Sequence, residues 1–286
     1  MANLPVLLII MFILAGLFNV LFPIVLGWWI IRKHKTSWKL FGVGVLTFVG
    51  SQIFHLPVVS GLTAAFQSGA LPHVDPAFAP FFNAIVLGLL AGLFEETARW
   101  VGYKLLKIQG DSFGAAMTLG AGHGGIEAIA VGFVVLFTLV SMISLRTMDA
   151  GSLPLPAEQL ALAQQQVTAY FATPWHLPLA GAVERIGAVA LHITLSIMVW
   201  LSFSKRKALW FWGAVLYHAA VDGLTVLAVS FGMGTWLLEA LFILVAFGGL
   251  YLVWQAGKKA DADRIALESK TNAFVDGIHN KEMNFE

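Results

Sequence analysis

The sequence predicts an all-α, polytopic membrane protein with seven transmembrane helices. Three observations carry this. Of the 286 residues, 58% are hydrophobic and only 12% are charged, whereas a soluble domain carries about 25% charged residues. Eleven of the 33 formal charges fall in residues 257–286, which leaves 22 for the first 256. Seven apolar stretches are each long enough to cross the roughly 30 Å hydrocarbon core as a helix. So few charges cannot cover a soluble fold, which excludes a cytosolic enzyme and a nucleic-acid binder. The chain has no cysteine, hence no disulfide framework, thiolate metal site or cysteine nucleophile.

The spans are read at 5–31, 38–60, 82–106, 113–145, 178–203, 208–230 and 235–256. The first has no basic n-region and an apolar run far longer than that of a signal peptide, so it is read as a retained helix. Arg32, Lys33, Lys35 and Lys39 follow span one, Lys104 and Lys107 end span three, and Lys205, Arg206 and Lys207 follow span five. Lys258, Lys259, Arg264, Lys270 and Lys281 follow span seven, which places 14 of the 17 basic residues on one side. The positive-inside rule then puts the amino terminus outside and the carboxyl tail in the cytoplasm, in a multi-pass protein of the cell membrane. Residues 1–256 form the transmembrane domain and 257–286 a charged, mobile cytoplasmic tail.

Two external loops are expected, 61–81 and 149–177, the second punctuated by Pro154, Pro156 and Pro174. Within it Leu160, Ala163, Val167 and Tyr170 recur at helical spacing beside Gln164, Gln165 and Gln166, which predicts a short helix lying on the outer surface. Most tryptophans, among them Trp28, Trp29, Trp210 and Trp212, are expected as interfacial anchors.

Ionisable side chains within a span cost several kcal/mol (about 3 on insertion scales) and mark interior or water-filled sites. Four helices hold ten of them: Glu95, Glu96 and Arg99; His123 and Glu127; Glu184, Arg185 and His192; His218 and Asp222. Glu95, Glu96, His123, His192 and His218 each lie about ten residues from the basic end of their span, roughly 15 Å deep. They therefore form one layer near the middle of the membrane. Glu184 lies nearer the outer surface, lining a vestibule or pairing with Arg185. Glu239 is the single ionisable group of span seven, near its outer end.

Spacing assigns faces. His123 with Glu127, and His218 with Asp222, are four apart and share a face; Arg185 and His192, seven apart, do likewise. Glu95 precedes Arg99 by four, the favourable order for an ion pair, with Glu96 pointing about 100° away. Gly120, Gly122, Gly124 and Gly125 strip bulk from around His123, so that a neighbouring helix or a substrate backbone can approach. His34, His55, His73, His176 and His279 are given no chemistry.

Such a layer suits water activation. A buried glutamate can act as general base. Alternatively, two or three histidines from His123, His192 and His218 with a carboxylate can hold zinc and acidify a bound water. No His-Glu-x-x-His motif is present, so an ordinary zincin is excluded. The same groups could also serve as structural ion pairs or as an ion or proton pathway.

Glu95-Glu96-Thr-Ala-Arg99, Gly-His123-Gly-Gly-Ile-Glu127, the stretch from Glu184-Arg185 to His192, and His218-Ala-Ala-Val-Asp222 resemble the YhfC-type family of intramembrane proteases. That family is similar to the PrsW and CAAX-prenyl-protease families, and more distantly to the seven-helix anterior-pharynx-defective subunit of gamma-secretase. The resemblance spans roughly residues 82–225. It implies that one of Glu95 and Glu96 is the water-activating base, that His218 and Asp222 form the His-x-x-x-Asp motif, and that His123 with Glu127 forms the second motif. The basic residue follows the second glutamate by three, as in the PrsW type.

The expectation is thus an intramembrane endopeptidase cutting membrane-protein or peptide substrates. Glu95 or Glu96 activates water, His192 and His218 position it or stabilise the oxyanion, His123, Glu127 and Asp222 complete the cavity, and Arg99 fixes the glutamates. A glutamate mechanism without a required cofactor is favoured over zinc on family analogy. The rival readings are a non-catalytic scaffold for partner membrane helices and an ion or proton transporter.

Overall fold

The computed structural model describes residues 4–105, 112–148 and 156–283, with side chains through residue 273. Within them the chain forms eight helices: α1 (Val6–His34), α2 (Trp38–Gln67), α3 (Ala79–Leu105), α4 (Phe113–Thr147), α5 (Ala157–Phe171), α6 (Leu177–Ser204), α7 (Leu209–Ser230) and α8 (Thr235–Met283). All but α5 are long and apolar enough to cross a membrane. Their outward faces carry large apolar side chains such as Leu46, Ile53, Phe137, Leu244 and Leu252. A soluble fold would bury these; here lipid is their solvent.

α4 and α6 form the centre. α4 packs on α1, α2 and α6; α3 packs on α7 and α2; α8 lies mainly on α6 and touches α7 only sparsely. In α6, 83% of the most apolar stretch is buried inside the protein, as expected of the one span ringed by others. Glycines set the closest crossings. A Cβ on Gly44 would stand 2.0 Å from Leu119 O, and one on Gly122 would stand 2.0 Å from the Phe41 carbonyl oxygen. α2 and α4 therefore touch backbone to backbone, the close approach that small residues permit between membrane helices.

Two expected boundaries move. Residues 61–67 belong to α2, not to the loop expected there, because nothing between Thr63 and Gln67 breaks a helix. The chain turns at Gly69, whose φ of 75° is open to glycine. The tail expected to be mobile is instead a continuation of α8 through Met283. No proline interrupts it, alanines, lysines, Leu267 and Glu268 favour a helix in its first half, and Arg264 pairs with Asp261 at 3.0 Å and Glu268 at 2.7 Å along one face.

The expected surface helix is α5. Val167 and Phe171 are buried against the start of α1 and the end of α4. Tyr170 stacks on Phe12 with centroids 4.7 Å apart, and Arg146 lies over the Phe171 ring. Pro154 and Lys107 lie outside the described residues. Among the tryptophans, Trp28, Trp29 and Trp212 face outward, while Trp210 packs against the core. At the basic ends of the helices, lysines and arginines lie over Trp28, Trp29, Trp100 and Trp254.

A buried carboxylate and histidine cluster as candidate active site

The crossings just described bring the polar layer together. On its second face α4 meets α6, where Gly120 abuts Ile193 and Gly124 abuts His192. The glycines around His123 thus serve two neighbouring helices, α2 and α6. α3 meets α7 by the same device, with Gly92 against Val215 O and Gly88 against Ala219 O. That approach sets Glu95 and Glu96 beside His218.

The two adjacent glutamates face different partners. Glu95 accepts from Gln52 Nε2 on Oε1 at 3.1 Å, while its Oε2 lies 3.1 Å from His123 Nε2 and 4.0 Å from His218 Nε2. Glu96 is wholly buried; its Oε2 takes Arg99 Nη1 and its Oε1 lies 2.9 Å from His218 Nδ1. The Arg99 ion pair therefore forms with Glu96, at i,i+3, and not with Glu95 as the spacing suggested. Glu95 is turned toward α2 and α4 by Gln52 and His123. Arg99 is held on the other side by His192, Nη2 to Nδ1 at 3.1 Å.

Glu127 is shared in the same way. Its Oε1 accepts from Arg185 Nη1 at 2.7 Å and its Oε2 lies 2.7 Å from His192 Nε2. Arg185 extends its other terminal nitrogen to Glu184. Asp222 Oδ2 lies 3.5 Å from His218 Nε2. The His123 and His192 rings are 4.9 Å apart, and those of His192 and His218 are 5.5 Å apart. Every one of the ten ionisable residues of the layer thus joins one connected network.

Hydrogen bonding fixes the tautomers of His192 and His218 and leaves two for His123. The Thr47 hydroxyl lies 2.8 Å from Gly44 O and 2.9 Å from His123 Nδ1, and has one proton for the two. With that proton on Gly44 O, a neutral His123 carries its own on Nδ1 and turns the Nε2 lone pair to Glu95 Oε2; with it on Nδ1, His123 Nε2–H donates to Glu95. His218 places Nδ1–H on Glu96 and turns Nε2 to the space between Asp222 and Glu95. In His192, Arg99 donates into Nδ1, so Nε2–H donates to Glu127. In the first arrangement two lone pairs, His123 Nε2 and Glu95 Oε2, face each other at 3.1 Å and need a proton or a cation between them.

Donor atoms of Glu95, His123 and His192 lie within 4.8 Å of one another, a set able to hold a metal ion. All three residues are buried. A cavity of about 530 Å³ reaches this cluster, with Glu95, Glu127, Arg185, His192, His218 and Asp222 on its walls. Glu96, Arg99 and His123 stand behind that wall.

Three participants carried too weak a sequence signal to be singled out. Thr47 and Gln52 are neutral polar residues of an apolar span, and only their helical register against Glu95 and His123 gives them a role. His55 lines the same cavity and stacks on Phe94 at 5.7 Å.

The sequence matches the family described as YhfC intramembrane metalloprotease over residues 18–247. It is 29% identical over 214 residues to the uncharacterized membrane protein YhfC of Bacillus subtilis (strain 168), covering 72% of this chain and 79% of that relative. No solved structure matches it. With seven apolar helices around a buried cluster of histidines and carboxylates, this multi-pass membrane protein belongs to the YhfC intramembrane metalloprotease family.

Proposed function

We propose that the protein hydrolyses peptide bonds of membrane-embedded substrates with the aid of a divalent metal, zinc being the natural occupant of a site of imidazoles and a carboxylate. The observation that carries this reading is the buried cluster of Glu95, His123 and His192, whose donor atoms lie within 4.8 Å of one another. It moves the balance away from the metal-independent glutamate mechanism that family analogy favoured, and the family's description points the same way.

Glu95, His123 and His192 would hold the ion, His192 giving up one of its two present hydrogen bonds. Once bound, the ion supplies Lewis acidity toward a water and a carbonyl oxygen. Thr47 orients His123 through Nδ1, as outer partners orient metal-binding imidazoles generally. His218 is braced by Glu96 and lies beside Asp222, so it can take a proton from the attacking water at Nε2 and return it to the departing amine. Water oxygen bonds to the carbonyl carbon, the C–N bond breaks, and the proton ends on nitrogen. Arg185, gripped by Glu127 and Glu184, presents positive charge on the cavity wall. Arg99 and Glu96 do not line the cavity and act by holding His192 and His218.

The experiment is elemental analysis of detergent-purified protein beside His123→Ala and Glu95→Gln, with cleavage of a membrane-protein substrate in parallel. About one zinc per chain, lost in both variants together with cleavage, is the expected result. Cleavage by metal-free wild type that disappears in Glu95→Gln returns the mechanism to the glutamate base. Intact metal content with no cleavage of any membrane substrate favours the scaffold reading.

A further inference from the structure

Glu239 takes no part in the network above. It stands about 6 Å into α8, is 8% exposed, and its Oε2 is buried with no hydrogen-bond partner among the described residues. It lines the reaction cavity close to Leu238 and Phe242. Those two residues and Thr225 also line a second hollow, an apolar groove of about 850 Å³ between α7 and α8. The groove follows α8 from Leu237 to Val245, eight residues or roughly 12 Å, enough for about two helical turns. It is bounded toward the basic end by Tyr217, whose hydroxyl donates to Val245 O at 2.8 Å and crowds Gly249. At the opposite end α7 and α8 are joined by a turn through Gly232, with φ of 73°.

The charges at this mouth are unbalanced. Glu184, Asp222 and Glu239 face the cavity with Arg185, whose terminal nitrogens are already taken by Glu127 and Glu184. A buried carboxylate without a partner is costly, and a cation brought to it removes that cost. The neighbouring groove is lined almost wholly by apolar side chains. We propose that the α7–α8 groove seats an apolar transmembrane segment of the substrate, and that Glu239 selects segments carrying a lysine or arginine near their outer end. This deepens the protease reading and rests on it for the word substrate. The groove delivers the segment to the hydrolytic groups, since the two hollows share Thr225, Leu238 and Phe242.

The test uses labelled 20-residue leucine/alanine peptides in bicelles with the full-length protein. One carries a lysine five positions from its outer end, one norleucine there, and one glutamate. The lysine peptide is expected to bind about tenfold tighter than the norleucine peptide. Glu239→Gln should erase that preference, and Glu239→Lys should transfer it to the glutamate peptide. Leu241→Trp, which fills the groove, should weaken all three peptides. Equal binding of the lysine and norleucine peptides by wild type overturns the proposal, as does a preference that survives Glu239→Gln. A photo-crosslinker at Leu241 that captures lipid but no peptide overturns it too. Binding is repeated in Glu95→Gln. A lysine preference present there, with no cleavage by wild type, removes the protease reading and leaves the recognition site standing.

Discussion

Thr47 Oγ1 stands 2.9 Å from His123 Nδ1 and 2.8 Å from Gly44 O, so the placing of one hydroxyl proton decides which way the His123 lone pair points. Thr47→Val keeps the shape and removes the acceptor. We expect metal affinity to fall about 10- to 100-fold, the usual consequence of losing an outer partner of a metal-binding histidine. Thr47→Ser should retain it. Competitive metal titration of the two variants checks this, and equal affinities would show that Thr47 does not orient His123.

The adjacent glutamates should separate in their effects. Glu96→Gln leaves the buried Arg99 without its counter-charge and should destabilise the protein by about 3 kcal/mol. Glu95→Gln can donate its new amide N–H to His123 Nε2, so it should unfold near the midpoint of wild type stripped of metal, while losing metal binding and cleavage. Thermal unfolding in detergent, followed by tryptophan fluorescence, compares the two. A larger loss of stability in Glu95→Gln would reverse these assignments.

Gly122→Ala should prevent normal assembly, because its Cβ would stand 2.0 Å from the Phe41 backbone oxygen. Overpacking alone costs about 1–3 kcal/mol, and a backbone obstacle leaves little room for relaxation. Gly42→Ala, where a Cβ meets nothing within 4 Å, is the matched control and should be neutral. Monodispersity on size exclusion and the unfolding midpoint report both.

Asp261 accepts from the Phe113 backbone N–H at 3.3 Å, satisfying a donor at the start of α4 from another helix. Asp261→Ala should therefore lower stability by about 1 kcal/mol, a typical capping loss. Asp263→Ala, on the exposed side of the same turn, should change it little. An equal effect of the two substitutions would mean that only the charge of the tail matters.

Much of this architecture was legible because a bilayer is a simple solvent. Charge depletion and run length place seven helices, and counting residues from the basic ends puts Glu95, His123, His192 and His218 at one depth. What the counting could not supply is rotation about each helix axis. Glu95 and Glu96 are equivalent by spacing, and the i,i+4 rule chose Glu95 for Arg99. The neighbours decided otherwise, with Gln52 and His123 claiming Glu95 and His218 joining Arg99 on Glu96. Thr47 and Gln52 stayed invisible because a neutral hydroxyl or amide in a span is common and acquires meaning only from what it faces. The continuation of α8 was missed for a different reason. A charged segment reads as solvated tail unless its cross-helix contact, here Asp261 to α4, is known.

That contact has a mechanical side. Trp254 packs edge-on against the Phe113 ring at 5.1 Å, Gly257 lets the same ring approach closely, and Asp261 holds the Phe113 backbone. α8 is thus clasped around one residue near its middle and lies on α6, with Trp236 donating to His176 Nδ1 at 3.0 Å near its other end, while α7 touches it only sparsely. From Asp261 to Glu239 is 22 residues, about 33 Å of rigid rod. A pivot of only about 5° at the clasp would carry Glu239 sideways by roughly 3 Å, about half the width of a peptide backbone with its smallest side chains. Held at Gly187 of α6 and at His176, the rod has its freedom on the α7 side alone, where such a displacement would widen or narrow the groove. Whatever loads the far end of α8, beyond Asp261, would be felt at the groove.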